Sequence, residues 1–155
     1  MRSSSYFFIV IRLFHPKSLL LRACSTCYDR RYVTVKIIET DENITLKEQL
    51  EEDIGPVILL NKFTVKPEDT EEFLKIFSVT TEMFKQQPGF ISAQLHRGIG
   101  RSNTFFNYVI WESAEHFKQA FNRPEFRSSM SNVLPNVVMS PHLFKKVAVP
   151  GICVE

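Results

Sequence analysis

Nine residues, VILLNKFTV (Val57–Val65), constrain the fold of this chain more than any other stretch. They are rich in β-formers and apolar at almost every position, so a strand here needs cover on both faces. Alternation sends Ile58 and Leu60 to one face, and Val57, Leu59 and Phe63 to the other. Asn61 stands in the middle of this run. An unpaired amide is costly there, so something must satisfy it.

The segments that follow supply the first cover. KPED makes a turn and opens a helix, with Glu68, Asp69, Glu71 and Glu72 at its positive end. Phe73, Phe77, Thr80/Thr81 and Phe84 recur at helical spacing as far as Gln87, and Pro88-Gly89 stops the helix. FISAQLHRG (Phe90–Gly98) and TFFNYVIW (Thr104–Trp111) read as a hairpin joined by the turn residues of GIGRSN. Ser113 is a natural N-cap for a second helix that buries Phe117, Ala120 and Phe121. Pro124 opens a short further helix, PEFRSSMSNV, and LFKKVAV (Leu143–Val149) is expected as the last strand. The order is βαββαβ, an α+β, ferredoxin-like fold with a four-stranded antiparallel sheet and helices on one face. The other sheet face is then an exposed apolar patch, which a second copy packed sheet to sheet would cover, so a homodimer is expected.

Composition bounds the remainder. The 155 residues hold one domain and a tail, and 44% hydrophobic content with 14 phenylalanines can bury a core. A formal charge of +2 gives no ground for a nucleic-acid partner. Residues 1–36 form a basic N-terminal tail carrying Arg2, Arg12, Lys17, Arg22, Arg30, Arg31 and Lys36 against the single acid Asp29. That is the composition of a mitochondrial transit peptide, so a mitochondrial address is expected, with the cytoplasm as the alternative. The apolar run Tyr6–Ile11 falls short of the roughly 7–15 residues of a secretory h-region. No stretch approaches the roughly 18 apolar residues of a membrane span. Residues 37–54 read as an acidic linker; Tyr32–Glu39, across the junction of tail and linker, alternates like a strand, and Thr45–Asp53 resembles a short helix. The domain proper is 55–150, and 151–155 a C-terminal tail. Cys24 and Cys27 form a CSTC pair with no second pair to complete a zinc site, and Cys153 stands alone.

Three segments in order carry a family resemblance: ILLNKFTVKPEDTEEFL, QQPGFISAQLHRG and NYVIWESAEHFKQAFNRPEF. Together they resemble the antibiotic biosynthesis monooxygenase domain family over about Gly55 to Val149. The resemblance implies a dimeric α/β barrel of two ferredoxin-like subunits. It also implies, through the family's small oxygenases of polyketide and quinol metabolism, insertion of oxygen into a phenolic substrate without flavin, haem or metal. An electron-rich phenolate can itself reduce dioxygen, so such a protein needs an apolar box and a few fixed hydrogen-bonding groups.

Asn107 and Trp111 match the asparagine and tryptophan that the polyketide oxygenases carry on the corresponding strand. Their offset of four puts both on one sheet face. His96, on the neighbouring strand, is the candidate proton acceptor. Asn61, Arg127, Phe77, Phe117 and Phe121 are the candidate substrate-binding residues, Arg127 for an anionic group. Phe117 departs from the pattern: the oxygenases have a tyrosine six residues after the tryptophan, and phenylalanine has no acidic proton to give. The family's haem-degrading branch uses an Asn–Trp–His set. Asn61 and Trp111 match it, but His116 falls too early for the histidine and Phe121 stands in that stretch.

Three readings follow, in order. The first is a cofactor-independent monooxygenase acting on a quinol or phenol with dioxygen. The second is a non-catalytic dimeric barrel that binds a small ligand, or a stress-related protein. The third is a haem-binding or haem-degrading protein, disfavoured by the missing axial histidine.

Overall fold

The computed structural model describes residues 36–126 and 136–153. The basic tail with Cys24 and Cys27, the start of the Tyr32–Glu39 segment, Arg127 and most of the PEFRSSMSNV helix lie outside the described residues. The strand expected from VILLNKFTV is β2 (Val57–Thr64), and it is the centre of the sheet. Its buried positions alternate: Val57, Leu59, Asn61 and Phe63 face the helices, while Lys62 and Thr64 are exposed on the other side.

The sheet holds five strands in the order β1-β5-β2-β4-β3, where β1 is Lys36–Ile37, β3 Phe90–Arg97, β4 Thr104–Trp111 and β5 Val138–Phe144. The four strands β5-β2-β4-β3 are antiparallel throughout and make the ferredoxin-like core. The sheet is nevertheless mixed, not the four-stranded antiparallel one expected, because β1 adds a short parallel strand on the β5 edge (Lys36↔Val138, Ile37↔Met139).

Two helices cover one face. A 3-10 turn at Pro67–Asp69 leads into α2 (Thr70–Lys85), with Glu71 and Glu72 in its first turn and Lys85 in its last, as the helix dipole favours. Helix α3 (Ala114–Phe121) is capped by the Ser113 hydroxyl, which accepts from the His116 backbone N–H at 3.2 Å. Gly89 ends the turn after α2 at φ 77°, and a Cβ there would meet the His116 ring at 2.3 Å, so the turn admits only glycine. A third, four-residue helix, α1 (Leu46–Gln49), comes from the segment read as an acidic linker. Both Leu46 and Leu50 are buried in the core, so this segment is part of the packed domain.

The last strand lies five residues earlier than the sequence suggests. LFKKVAV is β-branched and apolar, yet Val147 and Val149 are exposed and only Leu143 and Phe144 belong to the strand. Strand β5 instead contains Pro141, which argues against a strand when read alone. Its place in the sheet resolves this. Leu143 turns its N–H and C=O to the outer edge, where the Gln49 side chain meets them, so the N–H that Pro141 lacks belongs to that same edge. Strand β1 pairs only with Val138 and Met139, so no ladder bond is lost.

Candidate functional site

The core is divided. One cluster packs Leu46, Leu50, Val57, Leu59, Val109, Trp111 and Phe117 with Leu143; the other packs Phe63, Val65, Phe73, Phe105, Val137 and Met139. Between them, in the middle of the sheet, Asn61 of β2 faces Asn107 of β4 as a cross-strand pair. Direct opposition sets their Cβ atoms about 5 Å apart on one face. Their neighbours in the same row are Pro141 and Leu95, which offer no side-chain donor or acceptor.

Both amides are sealed in. Asn61 is 6% and Asn107 9% exposed, and each Oδ1 is buried without a hydrogen-bond partner among the described residues. A buried amide left unpaired costs on the order of 1–3 kcal/mol, and two side by side are an expensive arrangement for a strand centre. Each amide faces an apolar cavity of about 90 Å³ between the sheet and α2. Its volume lies between the roughly 10–15 Å³ one water needs and the roughly 150 Å³ of an apolar cavity that takes up benzene.

The walls are aromatic. Phe63, Phe73, Phe77, Phe84, Phe117 and Phe121 line the cavity, with Thr80 and Thr81 of α2 bringing the only side-chain hydroxyls among the described residues. Among the described residues no acid, base or cation lines it. Among the described residues no group of three His, Cys, Asp or Glu side chains converges anywhere. The described residues therefore offer hydrogen bonding from buried amides in a largely apolar, aromatic-walled space.

Of the residues singled out in the sequence, Asn61, Asn107, Phe77, Phe117 and Phe121 meet at this cavity. Trp111 shares the face of Asn107 but lies four residues, about 13 Å, further along the strand. Fully buried, it packs against Phe84, Phe90 and Phe117 at ring distances of 5.8, 5.4 and 5.6 Å, behind the wall and not in it. Its indole N–H is without a partner among the described residues.

His96 is displaced by one position of strand parity. It pairs with Phe106, whereas Asn107 pairs with Leu95, so His96 projects from the opposite sheet face, exposed and 6.4 Å from the Phe106 ring. The sheet itself separates it from the cavity, and a role there as proton acceptor is corrected accordingly. Sequence reading missed the contributions of Ile37, Leu46, Met139 and Pro141 to the lining. The first two come from the segment read as a linker and the last two from the misplaced strand, so a signal existed only in the alternation around Ile37.

Comparisons with known proteins bear on the same region. Residues 56–131 match the family model described as antibiotic biosynthesis monooxygenase. Among solved structures the chain is similar to SnoaB of Streptomyces nogalater, described as a cofactor-independent oxygenase, at 26% identity and a TM-score of 0.57, covering 63% of this chain and 99% of that one. A protein of Shewanella loihica, provisionally assigned as a monooxygenase, is 27% identical with a TM-score of 0.53 over 63% and 99% of the two chains. A conserved protein of Methanosarcina mazei, 15% identical at a TM-score of 0.53 over 59% and 92%, shares the fold. Nothing among curated protein sequences matches the chain.

Proposed function

The chain belongs, through residues 56–131, to the antibiotic biosynthesis monooxygenase family, and from that premise we propose that it oxidises a phenol or quinol with dioxygen and no cofactor. The observation that carries this reading is the unpartnered Asn61–Asn107 pair facing an aromatic-walled cavity. Two buried amide oxygens with nothing to bond are a standing cost to the fold, and a hydroxylated ring is the kind of guest that offsets it. Its O–H donates to an Oδ1, and its apolar body fills the phenylalanine box.

In the reaction the phenolate transfers one electron to dioxygen, leaving a ring radical and superoxide. The two combine in a new C–O bond to give a ring peroxide. Cleavage of the O–O bond then leaves one oxygen on the ring as a quinone carbonyl and releases the other as water. Dioxygen is the oxidant, and the ring supplies the electrons. The Asn Nδ2–H groups hold the negative oxygen as it forms, and the dry walls keep water from competing. An amide cannot take a proton near neutral pH, and among the described residues no ionisable side chain lines the cavity. The phenolic proton therefore goes to solvent, and the pH dependence of the rate belongs to the substrate.

The test is oxygen uptake by chelator-treated protein with methyl-substituted hydroquinones, and with menadiol as a two-ring comparison. Asn107→Ala and Asn61→Ala are each expected to lower the rate by about 10²–10³-fold, as for loss of one donor to a developing oxyanion. Wild-type uptake no faster than autoxidation in buffer rejects the proposal. It would leave the second reading, a ligand-binding barrel, which Phe117 favours because it is 2% exposed and has no proton to deliver. The reading includes a homodimer and a mitochondrial address. The dimer is supported by the apolar outer sheet face, and the address by the basic tail, testable by fusing residues 1–28 to a reporter.

A further inference from the structure

Two side chains in the cavity wall come from the segment ahead of the family match. Ile37 on β1 and Leu46 on α1 both precede residue 56, where the family match begins, and both line the cavity. The segment that carries them is firmly tied down. The Ile38 N–H donates to the Met139 carbonyl at 2.8 Å, and the Ser140 hydroxyl donates to the Ile38 carbonyl at 2.8 Å.

Further along, the Gln49 amide closes a two-bond ring with the backbone of Leu143. Its Oε1 accepts from the N–H at 2.9 Å, and its Nε2 donates to the C=O at 3.0 Å, so a side chain continues the ladder that β1 begins. Lys118 of α3 pairs with Glu51 at 2.7 Å, and the Ala114 N–H donates to the Ile54 carbonyl at 2.9 Å. Residues 36–54 thus form a strap across the β5 edge, fastened to β5 and α3 and presenting Leu46 to the site.

We propose that this strap sets the size of ligand the cavity accepts, with Leu46, helped by Ile37, as the specificity-determining residue that restricts it to about one ring. The proposal rests on the cavity being the phenol site. With the strap in place the cavity is about 90 Å³. Loss of one buried aliphatic side chain in a core can leave an apolar cavity of about 150 Å³, enough for benzene. Leu46→Ala would therefore add space on that scale to a cavity that, at about 90 Å³, is too tight for two fused rings.

The fold supplies its own control. Leu50 lies one turn beyond Leu46, is equally buried at 7% and belongs to the same core cluster, but it does not line the cavity. A truncation there loosens the core without enlarging the site.

The experiment titrates phenol and 1-naphthol into wild type, Leu46→Ala, Ile37→Ala and Leu50→Ala by calorimetry. Wild type is expected to bind phenol at least tenfold more tightly than 1-naphthol. Leu46→Ala is expected to raise naphthol affinity tenfold or more. Ile37→Ala moves the ratio the same way by a smaller factor, and, with Ile37 only half-buried, it keeps the test open if Leu46→Ala does not fold. Leu50→Ala keeps the wild-type ratio. A ratio unchanged in both lining variants, or moved as far by Leu50→Ala, overturns the strap's role while the phenol site stands. Absence of binding by either probe in all four proteins removes the site and the strap's role together. Binding without oxygen uptake leaves the strap's role intact and sinks only the oxygenase.

Discussion

Asn61 and Asn107 are the two residues at which this protein departs from the rules of a stable strand. Each is buried at a sheet centre with an unpartnered Oδ1, although leucine would pack there at no polar cost. Asn107→Leu and Asn61→Leu are therefore expected to raise stability by about 1–3 kcal/mol each in urea unfolding while abolishing oxygen uptake. A fall in stability would mean that the amides already have partners in the empty protein. The residue scale is also where one-step errors cost most. Asn61 was legible from sequence as an oddity in an apolar run, and Asn107 from its family match. His96 was not placed, because a strand changes face at every residue and the register of β3 against β4 is irregular at Phe90/Ser92. A count along one strand does not carry across a bulge to the next.

Elements with strong local signals matched their sequence patterns closely. The β4 span Thr104–Trp111 and the Ser113 cap of α3 are both read directly from the chain, since alternation and capping are decided within a few residues. Helix α1 is also local: Thr45 and Glu48 close a capping box, with the Thr45 N–H donating to Glu48 Oε2 at 2.8 Å and the Glu48 N–H donating to Thr45 Oγ1 at 3.2 Å. The Thr45 hydroxyl and backbone N–H hold the Glu48 carboxyl below its ordinary value. A lowered folded value means that this stabilisation is complete above the ordinary glutamate range and is lost as pH falls through the lowered one. The melting temperature of Glu48→Gln should thus lie below wild type at neutral pH, with the gap closing once Glu48 is protonated. A gap that persists unchanged into acid would rule out the box as its source. Strand β5 was misread for the opposite reason. Pro141 is acceptable only because the edge it faces is bridged by Gln49 and not by a strand, and nothing near Pro141 in sequence announces Gln49.

On the scale of the molecule, the sheet has one finished face and one unfinished. Opposite the helices, Phe106 and Phe144 are 37% and 40% exposed, and Ile58, Leu60, Tyr108 and Ile110 are half-buried beside them. A homodimer that covers this face predicts that Phe106→Glu halves the mass seen in sedimentation and leaves the far-ultraviolet spectrum unchanged. A wild-type protein already monomeric at micromolar concentration would rule it out. What the sequence determined by itself is the order of strands and helices, their caps and their apolar faces, because these depend on neighbours one to four residues away. The tertiary structure alone decided that two asparagines 46 positions apart stand side by side, that His96 lies behind the sheet, and that Leu46 completes the cavity wall. Each of these is a matter of register or of docking between distant segments. Those are fixed by how the whole core closes, and no local pattern encodes them.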